Sequence, residues 1–562
     1  MSVTERLRTS ELFKSSNASH SSASWQAERA YLRASAIAEA YALSLDDVLS
    51  LTPGFWDMHA DPILCWDGAA TTILIIQYNL TIGTVGRLAE NQNREDLLPL
   101  LDDLLRFRTI GQFCLTEVGH GLDAVNLETT ATLLEDGTFD LHTPTPAAAK
   151  FMPPMVPVLG RPCVAVVFAQ LIVGKEKRGI RPFLVNINDG RHMCSGITTK
   201  LLPHRNGSFP VNHSITSFRH VRLPRGALLA DDIEKSPSEH FDFLMRIWRV
   251  SVGTLSLSLV AMSTLKIASH IAFFYSKRRT VGGPENSRIP ILSFRTQQIP
   301  VFTAVARAYV LDAFSRRAIQ LFMDDSLDIR VRHGIATCFK AATLHCAQES
   351  AILLSERCGA QGLFGHNQIV TQYSEMRGIA IAEGDILVLS IRLATELILG
   401  RYSMPHSDNS RSLLSKHEVG IIAECQSLTT QYGHRSEEFA TRVLPKCQFL
   451  VETIGHRIAY DAAVAEGVPT SLIAIYEADV IKKDLAWFVE DGCISRATFD
   501  DMEVDAINKA SHQMEEWVNG MKTRTYVTAP ITSADRWDDF VAGLETFSSV
   551  RRERRPLFRA SL

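Results

Sequence analysis

The sequence predicts a mostly helical chain with one central β module: helices first, then an all-β segment, then two further helical units. Three observations carry that reading. Trp25 to Ala42 is rich in Ala, Leu, Glu and Arg, and further helical stretches run to about Arg108. From about Gly111 the texture changes to short β-prone runs, Val164-Ala-Val-Val-Phe168 and Phe183-Leu-Val-Asn-Ile187 among them. Turn clusters such as Glu135-Asp-Gly137 and Asn188-Asp-Gly190 separate these runs. After Leu229 the helical texture returns for most of the remaining chain.

Each unit has its own justification. The expected domains are 1–110 (helical), 111–230 (β), 231–405 (a central helical bundle) and 411–562 (a second helical unit). Val250 to Phe274 is weakly polar, but seven Ser/Thr residues, Lys266 and His270 interrupt it, so it reads as a buried helix rather than a membrane span. Two breaks follow, Gly282-Gly-Pro-Glu-Asn-Ser-Arg-Ile-Pro290 and Tyr402-Ser-Met-Pro-His-Ser-Asp-Asn-Ser410, and the second marks the domain boundary. Beyond it Val443, Cys447, Leu450, Ile454 and Ile458 fall three or four apart, and Leu472, Tyr476, Val480 and Ile481 repeat the spacing, as core faces do.

Length and charge narrow the function classes. At roughly 150 residues per domain, 562 residues make about three or four units. With 58 basic against 62 acidic residues, no overall field draws nucleic acid or anionic lipid. The ten cysteines never form Cys-x-x-Cys and no secretory signal opens the chain, so they read as reduced, intracellular thiols. The sequons Asn17-Ala-Ser and Asn79-Leu-Thr therefore carry no weight. The terminal Ala560-Ser-Leu562 has the small first residue and final Leu of a peroxisomal address but lacks its basic centre. A cytoplasmic protein is the expectation, with peroxisomal import the weaker alternative. His204, His213 and His220 are too widely spaced for a ligand motif, and no metal is expected.

Four segments could carry chemistry. Phe113-Cys-Leu-Thr-Glu-Val-Gly-His-Gly-Leu-Asp123, followed by Asn126-Leu-Glu-Thr-Thr-Ala131, opens the β module; its glycines admit a flat ligand and Thr116 can donate or accept. It also reads as an ordinary turn. Lys277-Arg-Arg279 and then Phe294-Arg-Thr-Gln-Gln298 suit phosphate and heterocycle edges, or form a plain solvated face. Arg357-Cys-Gly-Ala-Gln-Gly362 exposes backbone N–H groups to a phosphate, or simply caps a helix. In Ile379-Ala-Ile-Ala-Glu-Gly-Asp385 a single carboxylate sits in an apolar run, which raises its pKa and suits a base for a weakly acidic C–H.

In that order the segments resemble the acyl-CoA oxidase branch of the acyl-CoA dehydrogenase superfamily, with its Thr-Glu-x-Gly-x-Gly, Arg-Arg, Phe-x-Thr-Gln-Gln, Cys-Gly-x-x-Gly and Glu-Gly motifs. The resemblance extends through His142-Thr-Pro-Thr145, Ala149-Lys-Phe151, Val167-Phe-Ala-Gln-Leu171 and Lys483-Asp-Leu-Ala-Trp-Phe-Val489, covering roughly residues 50 to 535. It implies an acyl-CoA dehydrogenase-like fold with a β-barrel-like middle domain, and the extra helical unit favours the oxidases. It implies FAD, with Phe113, Leu115, Thr116 and Gly121 around the isoalloxazine ring and Glu383 as catalytic base, flanked by Gly384 and Asp385 on the cofactor side. Arg278, Gln298, Gly359 and Gly362 resemble positions that contact the adenosine diphosphate half of a neighbouring subunit's FAD, which implies a homodimer or higher oligomer.

The reaction so implied is desaturation of an acyl thioester to the trans-2-enoyl thioester, with dioxygen reduced to hydrogen peroxide. This chain departs from the pattern in places. Met152-Pro-Pro-Met-Val-Pro157 stands where oxidases commonly have Trp-Pro-Gly, Leu122 where dehydrogenases usually have Ser, and Arg295 where Gln is common. Two alternatives stay open: a dehydrogenase or desaturase of a specialised pathway acting on acyl-CoA or an acyl-carrier protein, and a non-catalytic flavoprotein scaffold.

Overall fold

The computed structural model describes residues 3–13, 23–208, 211–230 and 233–547. The Asn17 sequon and the terminal Ala560-Ser-Leu562 lie outside them. The architecture is helical with a central β region, as the sequence predicts.

The N-terminal helices are started by side-chain caps. Ser44 and Asp47 form a reciprocal capping box for Leu45–Ser50, and Asp67 accepts from the amides of Ala69 and Ala70 to start Gly68–Ile75. That helix runs into a wider π-helical segment, Ile76–Ile82, in which Gln77, Asn79 and Thr81 are all fully buried. Buried polar side chains call for partners, and Gln77 and Asn79 find them outside the helix while the Thr81 hydroxyl has none among the described residues. Two of them supply the contacts around which the site is built. The chain continues through the helix Gly83–Asn91 to Leu98–Leu105 and then enters the sheet.

The β region has strands β1 (Ile110–Cys114), β2 (Thr130–Leu133), β3 (Phe139–His142), β4 (Lys150–Phe151), β5 (Cys163–Val173), β6 (Glu176–Asn188), β7 (Ile197–Leu201), β8 (Ser214–Phe218) and β9 (Val221–Leu223). Strand β5 is the spine. It pairs antiparallel with β6 on one edge, and on the other it pairs in parallel with β1 and, further along, with β2, which continues through β3 to β9. Strands β4, β8 and β7 form a separate small sheet. The run Val164 to Phe168 is buried throughout, and β5 has strand neighbours on both edges.

Val250 to Phe274 does not form one helix. Trp248–Ser256 ends at Leu257 and Leu259–Arg278 begins after Ser258, whose Oγ donates to Thr254 O at 2.7 Å. The most apolar window of this stretch is 89% buried inside the protein. Likewise the Gly282–Pro290 break is a hairpin, with Thr280–Gly282 paired to Arg288–Pro290. Two 29-residue helices, Arg295–Met323 and Ile329–Arg357, form the centre of the helical part. Leu259–Arg278 packs on both, and so does Cys447–Ala465 from the C-terminal unit, so the two helical units share one core.

Candidate active site

Glu383 sits in the four-residue link between the helices Ile369–Ile381 and Ile386–Ile398. Ala382 leaves the helix in an extended conformation, after which Glu383 (φ +53°) and Gly384 (φ +99°) are both left-handed. A side chain at Gly384 would be strained there, and its Cβ would meet Leu389 Cδ1 at 2.7 Å. Asp385 restarts the helix, its carboxylate accepting from Val388 N at 3.2 Å.

A left-handed glutamate costs about 1–2 kcal/mol and persists only where its surroundings fix it. Here three consecutive carbonyls are strapped by side chains. Lys340 Nζ donates to Ala382 O and to Gly384 O, both at 2.6 Å, and Thr254 Oγ1 donates to the intervening Glu383 O at 2.8 Å. With the carbonyls turned toward these donors, the N–H of Glu383 has no hydrogen-bond partner among the described residues.

The carboxylate reaches back to the π-helical segment. Asn79 Nδ2 donates to Glu383 Oε2 at 2.9 Å and to Arg249 O at 3.0 Å. Arg249, buried over the ring of Phe55, donates through Nε to Asn79 O at 2.9 Å and through Nη1 to Val48 O at 3.0 Å. The guanidinium therefore fixes the backbone that carries Asn79. Burial pushes the Glu383 carboxyl up to about 8 against the opposing pull of Lys340, Arg249 and the Asn79 hydrogen bond. Burial also draws Lys340 down to about 7 and Arg249 down to about 9. The result is a carboxylate of high proton affinity, held near Lys340 and Arg249 with no ion pair to either.

Strand β1 reaches this carboxylate through the same π-helical segment. Gln77 Oε1 accepts from Gly111 N at 2.6 Å and its Nε2 donates to Thr109 O at 2.9 Å, two residues before Asn79. Phe113 is buried against Phe168, with ring centroids 5.1 Å apart. The turn after β1 is braced from below. Lys150 Nζ donates to Glu117 Oε1 (2.9 Å), Phe168 O (2.7 Å) and Leu115 O (3.4 Å), and Phe151 N donates to Thr116 O at 3.0 Å. Glu117 also accepts from the amides of Glu128 and Thr129. Burial alone would raise its pKa, but Lys150 and these amides outweigh burial and hold the carboxyl below its ordinary value.

The Thr116 hydroxyl makes no hydrogen bond among the described residues, and Val118 and Leu122 further along the same turn are exposed. A Cβ on Gly121 would meet nothing within 4 Å. An open hydroxyl on an apolar ledge fits the edge of a flat heterocycle. The Met152–Pro157 segment lies next to the brace and is held by His213 Nδ1 at Met152 O (2.8 Å) and Ser214 Oγ at Pro153 O (2.7 Å).

The remaining sequence candidates gather at a second place. Gln297, rather than Gln298, is buried at the start of its helix, where its Nε2 donates to Ser276 Oγ (2.8 Å) and Arg357 O (3.1 Å), tying three helix ends together. Gln298 is half-buried beside it. Arg278 donates from Nε to Ile531 O at 3.2 Å, and Arg295 donates to Asn508 Oδ1. Gly359 (φ +58°) is exposed and open, whereas a Cβ on Gly362 would lie 1.9 Å from Ser355 O, so only glycine lets that turn close on its helix. Lys340 and Arg357 lie on the same helix, 17 residues apart, which at 1.5 Å per residue is about 25 Å. Within one chain the two groups of candidates do not meet.

Sequence reasoning missed Asn79, Arg249, Gly253, Thr254 and Lys340. Asn79 was visible only as half of a sequon, and the structure buries it completely. Among the described residues no three His, Cys, Asp or Glu side chains are grouped to hold a metal ion.

The family model and the relatives and solved structures compared below are acyl-CoA oxidases. Residues 251–398 match the family model for the acyl-CoA oxidase C-alpha1 domain. Peroxisomal acyl-coenzyme A oxidase 3 of Homo sapiens is 27% identical over 406 residues, covering 64% of this chain and 57% of that protein. The chain spans about half the length of the curated relatives it matches. Among solved structures, acyl-CoA oxidase3 from Yarrowia lipolytica superposes with a TM-score of 0.82 at 16% identity, over 96% of this chain and 87% of that one. Acyl-CoA oxidase-1 of Caenorhabditis elegans, solved in complex with FAD and ATP, gives 0.70 at 18% identity over 95% and 96%.

Proposed function

The chain is a relative of the acyl-CoA oxidases, and from that premise we propose that it is an FAD-dependent enzyme that oxidises an acyl-CoA thioester to the trans-2-enoyl thioester. The observation that carries this reading is Glu383: a carboxylate of raised pKa, fixed in a left-handed turn by three strapped carbonyls.

Glu383 takes the α-proton of the thioester. That proton is weakly acidic, so negative charge builds on the thioester oxygen as it leaves and must meet donors already in place. The unpartnered N–H of Glu383 is one such donor, and the Lys340 and Thr254 straps fix its direction before substrate arrives. Asn79 holds one carboxylate oxygen, leaving the other to receive the proton. Arg249 and Lys340 stay near enough to stabilise the ionised base without pairing with it.

Thr116 and the Phe113, Leu115 and Gly121 positions would hold the flavin ring of FAD, with Gly384 and Asp385 on its other side. Bound there, FAD would supply the two-electron acceptor for the hydride lost from the β-carbon, with dioxygen as the final acceptor in the oxidase reading. Arg278, Gln298, Gly359 and Gly362, toward the Arg357 end of the helix that carries Lys340, would serve the adenosine diphosphate half of FAD in a second copy of the chain, so a homodimer is the smallest complete unit.

The test is an absorbance spectrum of the purified protein with saturated acyl-CoAs added anaerobically and air then admitted. Bleaching of a flavin band, recovery in air and peroxide formation are expected. Flavin that an acyl-carrier thioester bleaches but no acyl-CoA does would move the substrate to a carrier protein, bleaching that persists in air would make it a dehydrogenase, and protein without flavin would overturn the reading.

A further inference from the structure

Glu375 is half-buried on the Ile369–Ile381 helix, which leads directly to the turn of Glu383. Its Oε2 accepts from the backbone N–H of Ser208 and from Ser208 Oγ at 3.2 Å. Ser208 is buried and left-handed (φ +49°), in the loop between β7 and β8. That loop lies on the helix backbone itself, since a Cβ on Gly207 would stand 2.5 Å from Ser374 O. The same carboxylate rests on a third element. A Cβ on Gly68, the first residue of the Gly68–Ile75 helix, would lie 2.0 Å from Glu375 Oε2, and Thr72 of that helix shares a 2.8 Å hydrogen bond with Ser208 Oγ.

Three elements therefore meet at one carboxylate, and two of them end at the reaction centre. The Gly68–Ile75 helix runs directly into the segment that carries Asn79, and the Ile369–Ile381 helix into the turn that carries Glu383. Asn79 Nδ2 meets Glu383 Oε2 at 2.9 Å. Close-packed interiors transmit small displacements, so a tie between the two helices at Glu375 sets how their far ends meet.

We propose that Glu375 is a positioning residue: by clamping the Gly68–Ile75 and Ile369–Ile381 helices together through Ser208, it holds Asn79 against the Glu383 carboxylate. Its consequence for turnover rests on the reading of Glu383 as the base. The charged groups around Glu375 are Arg205 and Asp67, the latter paired with Arg33 at 2.7 Å, with the Cys65 thiol nearby; around Glu383 they are Lys340 and Arg249. A clamp and a plain field effect differ in sign. Deleting a negative charge would lower the Glu383 pKa, whereas loosening the Asn79 hydrogen bond, which favours the ionised form, would raise it.

The test is a melting series across pH on the full chain, with the contribution of Glu383 identified by its loss in Glu383→Gln, alongside the pH profile of anaerobic flavin reduction by acyl-CoA. Glu375→Gln removes the charge, and Gly68→Ala keeps every titratable group while displacing the carboxylate. In both, the pH at which the Glu383 contribution levels off is expected to move up by about one unit, the scale of one hydrogen bond to a charged group. Neither variant should move it further in an Asn79→Ala background, and the limb of flavin reduction should shift with it. A downward shift in Glu375→Gln with none in Gly68→Ala would be a field effect. An unmoved level, or a shift that adds to that of Asn79→Ala, would leave only a structural tie, and any of these overturns the proposal. If the melting series shifts as expected but acyl-CoA reduces the flavin of neither variant nor wild type, the reading of Glu383 as base fails and the clamp on its carboxylate stands.

Discussion

Oε2 of Glu383 lies 1.0 Å from the place a Cβ on Gly253 would occupy, so the carboxylate packs directly on the bare backbone of the Trp248–Ser256 helix. The same imaginary Cβ would stand 2.7 Å from Asn79 Nδ2. Gly253 is thus the floor on which base and hydrogen-bond donor meet, and its missing side chain is a condition of the site.

Gly253→Ala is therefore expected to expel the carboxylate from its position while leaving the helix sound, because alanine is the better helix former. A displacement near 1 Å costs about 100-fold in rate. Steady-state turnover of an acyl-CoA should fall by about that factor, with thermal stability unchanged or slightly raised.

Glu383→Gln removes the proposed base and keeps the shape. Loss of general-base catalysis is worth about 10²–10⁴-fold, so anaerobic bleaching of the flavin by acyl-CoA should slow by that much, while flavin content stays at the wild-type level.

The pH dependence carries a sign. Glu383 must be ionised to act, and its carboxyl stands at about 8. The rate of flavin reduction in the free protein should therefore rise with pH and level off above about 8. Lys340 and Asn79 both pull that value down, so Lys340→Met and Asn79→Ala should each move the limb to higher pH, Lys340→Met more. Because the folded pKa lies above the ordinary 4.5, this group's contribution to stability is fully present below about 4.5 and is lost as pH rises through about 8. Glu383→Gln should abolish that loss in a melting series across pH.

Lys150→Met leaves Glu117 ionised and buried with both side chains out of solvent. Breaking a buried pair from one side costs about 3–5 kcal/mol, and urea unfolding should show a loss of that size. The double variant with Glu117→Gln should recover part of it.

Local features of the chain were legible because local rules set them. Gly137 and Gly190 have positive φ where the turn clusters required it. Val164 to Phe168 and Phe183 to Ile187 lie in β5 and β6, and Leu450, Ile454, Ile458, Leu472 and Tyr476 are buried as their spacing implied. Glu383 could be singled out because a lone carboxylate in an apolar run is unusual. Its surroundings could not be, because they come from three other elements: Asn79 is 304 residues away, Thr254 is 129 and the carbonyl strap from Lys340 spans 44. Nor does any local pattern announce the π-helical turn that aims Asn79, or the two-residue gap that splits Val250 to Phe274.

The Ile329–Arg357 helix has one further consequence. It carries Lys340, which straps the base, and at its far end the turn that would reach a second copy's cofactor. In a dimer of the proposed kind each such helix is a strut shared between two reaction centres, so lesions at its two ends fall on different centres. Chains inactivated at Glu383 and chains inactivated at Gly362 would then complement one another: in a mixed pair one centre collects both lesions and the other is whole. Co-expression of two dead proteins should yield a live one, at up to half the wild-type activity per mixed dimer.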